Sequence, residues 1–225
     1  MIRKETPSGV LQACDYNAAM TQRFHIHPVN PQRRLIQQSV EILRRDGLIV
    51  YPTDSCYAFG WHLGDREAAA RLQRIRETGK DHNFTLVCRD LSEIATYAHV
   101  ENWCYRLLRA HTPGPYTFIL KATREVPRRL QNPKRQTVGI RVPDHPVPLA
   151  LLELLGEPLM SSTLLLPGLN APLSDPDEIA SVLAGRVDLL IDSGGCGIEP
   201  TTVVDVTGDY PVVVRQGRGD STAFA

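Results

Sequence analysis

The amino-acid sequence predicts an α/β or α+β domain: a sheet of seven or more strands, in irregular order, with helices packed against it. Three observations carry that expectation. Short apolar runs recur along the chain, segments with apolar residues at helical spacing lie between many of them, and Gly, Pro or Asx residues mark several of the junctions.

Residues 1–23 show no steady period and contain Pro7, Gly9 and Asn17, so they read as a flexible N-terminal extension to a domain spanning 24–225. Over residues 31–45, Leu35, Ile36, Val40 and Leu43 fall at helical spacing. Asn30 offers an N-cap, Pro31 a first-turn proline and Gly47 a stop. Residues 48–51 form a strand ended by Pro52. Asp65 then caps a helix running to Glu77, with Ala68, Leu72 and Ile75 on its inner face. Strands follow at 85–88, 116–120 and 138–142, separated by helical patterns at 91–98 and 103–110. A helix at 147–155 stops at Gly156. The remaining strands are 159–162, 187–191, 202–206 and 212–215, and Asp175-Pro176 opens a short helix to Ala184. No internal repeat or low-complexity linker interrupts the series, so one domain is expected.

A chain of 225 residues can bury roughly 70% of the surface its unfolded form exposes and needs no disulfides for stability. Its five cysteines are widely separated, with no CxxC pair and no zinc spacing, which reads as free thiols in a reducing compartment. There is no apolar leader and no run near the roughly 18 apolar residues of a membrane span. A soluble, cytoplasmic protein without membrane contact is expected. The charge is balanced, 25 basic against 25 acidic residues, which argues against polyanion binding by the whole surface. One local patch stands out: Lys121, Arg124, Arg128, Arg129, Lys134, Arg135 and Arg141 against Glu125 alone. It is either a solvated face or a phosphate-binding one. The seven histidines are scattered with no metal-binding pattern, so no metal site is expected. The absence of a P-loop, a GxGxxG turn and a GxSxG elbow disfavours those nucleotide and hydrolase chemistries.

Four stretches could carry chemistry. In Tyr51-Pro52-Thr53-Asp54-Ser55-Cys56-Tyr57 an apolar strand stops and polar groups follow, where ligands sit in open α/β sheets; an Asx turn on Asp54 is the plainer reading. Thr112-Pro113-Gly114-Pro115-Tyr116-Thr117 is a rigid turn into a strand. In Thr137-Val138-Gly139-Ile140-Arg141-Val142-Pro143, period-2 alternation puts Thr137, Gly139 and Arg141 on one face. That leaves room beside an Arg for something flat or anionic, or for a structural carboxylate. Finally, Pro200-Thr201-Thr202-Val203-Val204-Asp205 and Val212-Val213-Val214-Arg215-Gln216-Gly217 form a hairpin with hydroxyls at one end and Arg215 at the other.

Together and in this order, these stretches resemble the YrdC/YciO family over roughly residues 24–219. Asp81-His82-Asn83-Phe84-Thr85-Leu86 and Leu164-Leu165-Leu166-Pro167-Gly168 place the chain nearer the YciO branch. The resemblance implies a single twisted, mostly parallel or mixed sheet with helices on both faces. It also implies a nucleotidyltransferase reaction: threonine, bicarbonate and ATP give L-threonylcarbamoyladenylate and pyrophosphate, for the t6A modification of tRNA. ATP enters as substrate, accompanied by Mg, and no tightly bound cofactor is implied. Thr53 falls at a threonine-contacting position; Arg76, Arg141, Thr163, Thr201 and Arg215 fall at nucleotide positions. Double-stranded RNA binding, also attributed to the family, suits Arg124, Arg128, Arg129, Lys134 and Arg135. Two departures matter. The Lys-x-Arg motif is Arg76-Glu77-Thr78 here, and Ser-x-Asn is Thr163-Leu164-Leu165. Each lost phosphate contact costs on the order of 1.5–3 kcal/mol, so two losses lower the rate by roughly two to four decades. The implied protein is a weak synthase or, alternatively, a nucleotide or double-stranded RNA binder without the chemistry.

Overall fold

The structure, a computed structural model, describes residues 20–77 and 84–224. The chain enters through strand β1 (Gln22–His25), helix α1 (Arg33–Arg44), β2 (Ile49–Tyr51) and β3 (Ala58–His62). Helix α2 (Arg66–Arg76), β4 (Thr85–Val87), α3 (Leu91–Tyr97), β5 (Ala98–His99) and α4 (Asn102–His111) follow. Next come β6 (Tyr116–Ala122), β7 (Thr137–Arg141), α5 (Pro146–Leu155) and β8 (Leu159–Thr163). The last elements are α6 (Pro176–Val182), β9 (Leu189–Asp192), β10 (Thr202–Asp205) and β11 (Val212–Arg215). Helix starts follow local chemistry. The Asp65 carboxylate accepts from the Glu67 and Ala68 amides at 2.8 and 3.1 Å, and Asp175 accepts likewise from Asp177 and Glu178 at 2.7 and 3.1 Å. Helix α1 begins later than its Asn-Pro signal suggests. The residue before it, Gln32, makes no side-chain cap and instead accepts from the His27 amide at 3.1 Å.

All strands join one sheet in the order β1-β9-β2-β3-β8-β4-β7-β6-β10-β11, with β5 paired to β6. Of the mostly parallel or mixed sheet that was expected, the mixed form is what is observed. The β1/β9, β9/β2, β4/β7 and β6/β10 pairs are parallel and the others antiparallel. Strand β1 occupies one edge, and it begins inside the segment read as an extension. Residues 1–19 of that segment lie outside the described residues.

Strand β3 is the central element that sequence periodicity missed, besides the short β5 and the start of β1. Its Ala-Phe-Gly-Trp-His run carries neither alternation nor a turn signal, because neighbours on both sides and both faces bury it. Gly60 allows its closest approach: a Cβ there would lie 2.8 Å from both the Tyr51 ring and the Leu159 side chain.

Successive strand residues alternate between two cores. Val50, Leu190 and Leu86 face one core, to which α2, α3, α4 and α6 contribute Leu72, Ile94, Leu108 and Ile179. Ile49, Tyr51, Leu189, Ile191 and Val87 face the other, closed by Ile36, Val40 and Leu43 of α1 and Leu151 and Leu155 of α5. Helices thus pack on both faces. On the second face the core reaches no strand beyond β4. Among the described residues no α-helix contributes to a core on the β7, β6, β10 and β11 half of that face, and the cavity described next opens there. Among the described residues, no helix is long and apolar enough to cross a membrane.

Candidate functional site

The uncovered half-face is floored by hydroxyls. Where Phe118, Ile140, Leu86 and Met160 point into the first core, Thr117, Gly139, Thr85 and Ser161 point the other way and line a cavity of about 420 Å³. That is the size of an ordinary small-ligand site. Gly139 keeps the floor low: a Cβ there would sit 3.3 Å from the Thr117 methyl and 3.6 Å from the Thr85 hydroxyl. Ile119, Leu130, Val203 and Val214 supply apolar wall.

Arg76 comes to the cavity from the last turn of α2, beside β8. Its Nε donates to the Leu165 carbonyl at 3.0 Å and an Nη to the Ser162 hydroxyl, and partial burial lowers its pKa. Arg215 approaches from β11, on the far side of the strand order, donating to the Thr201 carbonyl at 2.8 Å; desolvation lowers its pKa too. Among the described residues no carboxylate pairs with Arg215, and none lines the cavity. Thr201 also holds Thr117, hydroxyl to hydroxyl, at 2.8 Å. Thr163 ends β8 on the rim. The structure therefore brings Arg76, Thr163, Thr201 and Arg215 to one cavity. An acid-free wall with cations on two sides favours anions.

Thr53 and Arg141 do not line it. The Thr53 hydroxyl is engaged within its own loop: it donates to the Cys56 carbonyl at 2.7 Å and accepts from the Ser55 and Cys56 amides at 3.1 and 3.2 Å. Arg141 is buried in direct contact with Asp54 and reaches the Ser55 hydroxyl at 3.3 Å, so the structural-carboxylate alternative is what is observed. Among the described residues the second Asp54 oxygen and Arg141 Nε have no hydrogen-bond partner. This pair stands close to the cavity. Ser161 on the cavity floor hydrogen-bonds the Tyr51 hydroxyl at 2.8 Å, and burial pushes that phenol up to about 12 against the opposing influence of Ser161 and Arg141. Burial likewise pushes the neighbouring Cys56 thiol up to about 11.

Of the basic patch, Arg124, Arg128 and Lys134 are exposed, and the Arg129 side chain lies outside the described residues. Arg135 turns towards the cavity and is tied to Asp205 and the Thr207 hydroxyl, each at 2.8 Å. Thr78, of the altered Lys-x-Arg motif, also lies outside the described residues. Leu165, which replaces the Asn of Ser-x-Asn, presents an apolar side chain to the cavity. Thr137 was placed by its alternation with Gly139, whereas Thr85, Ser161 and Ser162 escaped sequence reasoning; they become part of one surface only when β8, β4 and β7 lie side by side. Among the described residues no cluster of three His, Cys, Asp or Glu could hold a metal ion. Among the described residues none that lines this wall is a carboxylate that could hold the magnesium expected with ATP.

Comparison with known proteins identifies the family and the fold. The uncharacterized protein YciO of Escherichia coli K12 is 57% identical over 205 residues, covering 91% of this chain and 100% of YciO. The crystal structure of E. coli YciO matches with a TM-score of 0.88 at 56% identity over 92% of this chain and 100% of that one. More distantly, the threonylcarbamoyl-AMP synthase of E. coli O9:H4 is 26% identical over 194 residues, 84% of this chain and 98% of the synthase. The crystal structure of P. abyssi Sua5 complexed with L-threonine shares the fold, with a TM-score of 0.80 at 24% identity over 88% of this chain and 58% of that one. The family profile described as telomere recombination matches residues 41–217, so this chain belongs to the Sua5/YciO/YrdC family.

Proposed function

We propose that the chain is a synthase of the threonylcarbamoyl-AMP type working at reduced rate, with ATP held in the cavity on the uncovered half-face. The observation that carries this reading is the acid-free, hydroxyl-floored wall flanked by Arg76 and Arg215. The threonine amine joins bicarbonate to give a carbamate with loss of water. The carbamate oxygen then attacks the α-phosphorus in line as pyrophosphate departs. Little covalent work falls to the protein, so its contribution is alignment and cations near the phosphates. In this reading Arg76 and Arg215 face the phosphates, Thr163 and Thr201 offer hydroxyls, and the apolar wall of Ile119, Val203 and Val214 receives the base. The apolar Leu165 supports the reduced rate. The whole-length likeness to threonylcarbamoyl-AMP synthases supports the chemistry. The test is purified protein with threonine, labelled bicarbonate and Mg-ATP. The adenylate should form slowly, and failure to exceed an Arg215→Ala control would overturn the proposal.

A second reading, nucleotide or double-stranded RNA binding without synthesis, is favoured by the exposed Arg124, Arg128 and Lys134 together with the internally engaged Thr53 hydroxyl. It requires affinity for duplex RNA that falls steeply with salt. Unchanged affinity after alanine replacement of Arg124, Arg128 and Lys134 would rule that surface out.

A further inference from the structure

We propose that the outer flank of α2 carries a second, independent anion site that takes a small phosphate-type oxyanion. It does not rest on the function proposed above. Arg71 and Arg74 of α2 and Arg186, in the turn before β9, converge on a shallow depression of about 230 Å³ whose other lining residues are Ile75 and Gly185. Two of the three guanidiniums, those of Arg71 and Arg186, are tethered by other parts of the chain. Arg71 is held by Asp188 through two contacts, 2.8 and 3.3 Å, and donates to the Arg186 carbonyl at 3.2 Å. Arg186 in turn donates to the Ile75 carbonyl at 3.3 Å, and Arg74 Nε lies 3.4 Å from the Ala70 carbonyl.

These bonds use only some of the five N–H donors on each guanidinium and leave the rest to the depression. Among the described residues neither Arg74 nor Arg186 pairs with a carboxylate, so three cations face the single acid Asp188. The residual charge of two positive units matches a dianionic phosphate. The planar donors suit its oxygens in paired hydrogen bonds. Ile75 alone gives little apolar wall, so the site selects the phosphate group and not what it is attached to.

The experiment uses full-length, ¹⁵N-labelled protein carrying Arg215→Ala, which weakens anion binding in the main cavity. Inorganic phosphate is titrated at constant ionic strength set with chloride, reading arginine Nε–Hε signals and the Gly185 amide. Saturable shifts at these positions are expected. Adding Arg74→Ala and Arg186→Ala, both exposed positions whose loss leaves the fold intact, should lower affinity at least tenfold. Shifts that stay linear in phosphate, that chloride reproduces, or that survive the added pair of substitutions would overturn the site. So would duplex RNA binding that depends on these arginines without any phosphate titration.

Discussion

Replacing Asp54 by Ala removes one half of a buried charge pair beside the cavity. The side chains of Asp54 and Arg141 are 10% and 9% exposed and in direct contact. Among the described residues Arg141 has one further neutral partner, the Ser55 hydroxyl at 3.3 Å, and its Nε has none. Without the carboxylate a buried guanidinium is left uncompensated, a loss of about 3–5 kcal/mol. In a chain of this size 1 kcal/mol moves the melting midpoint by about 2–4 °C, so a fall of roughly 6–20 °C is expected. Arg141→Ala should cost a similar amount, by stranding the carboxylate. The double variant, which removes both charges, should cost clearly less than the sum, with a coupling energy of several kcal/mol. Urea denaturation followed by circular dichroism measures all four proteins, with a constant m-value required for the comparison. Single losses below about 1 kcal/mol, or strictly additive losses, would refute the claim that this pair is buried and mutually dependent.

Arg215→Ala should weaken ATP binding about 10- to 150-fold by calorimetry, the value of one charge-assisted phosphate contact, while the exposed position leaves stability within about 0.5 kcal/mol. Unaltered affinity would remove Arg215 from the nucleotide site. Gly139→Val should raise the cavity floor against Thr117 and Thr85, abolishing ATP binding at a cost of roughly 1–3 kcal/mol in stability; a variant that binds ATP normally would show that the ligand lies elsewhere. The Asp192 carboxyl is pushed up by burial, but the Gly194 amide, Arg23 and His25 outweigh this and hold it below its ordinary 3.8. A depressed folded pKa means its stabilisation is present above 3.8 and is lost as pH falls through the lower folded value. Asp192→Asn should therefore be less stable by about 1.5–3 kcal/mol at pH 7, with the difference narrowing as pH falls below 3.8 in acid-denaturation curves; a gap that does not narrow with acidification would contradict the assignment.

Much of the scaffold was readable because its causes are local. Asp65 and Asp175 cap the helices they precede, and Gly156 follows α5 as a stop. Thr201 and Arg215 meet because β10 and β11 form an antiparallel pair within one short stretch. The Thr53 and Arg141 neighbourhood was harder. Nothing in Tyr51-Pro52-Thr53-Asp54 indicates that the hydroxyl closes its own turn, or that Asp54 meets an arginine 87 residues away.

The sequence by itself determined most of the helices and strands, though not β1, β3 or β5, as well as which residues share a strand face and the family to which the set of motifs points. Side-chain periodicity and capping act within a few residues, so a single chain displays them directly. The tertiary structure alone decided that β3 threads between β2 and β8, that α1 and α5 cover only part of the second face, and that hydroxyls from separate strands form one floor. Those outcomes depend on strand order, which is fixed by long-range burial and leaves no periodic trace in the chain.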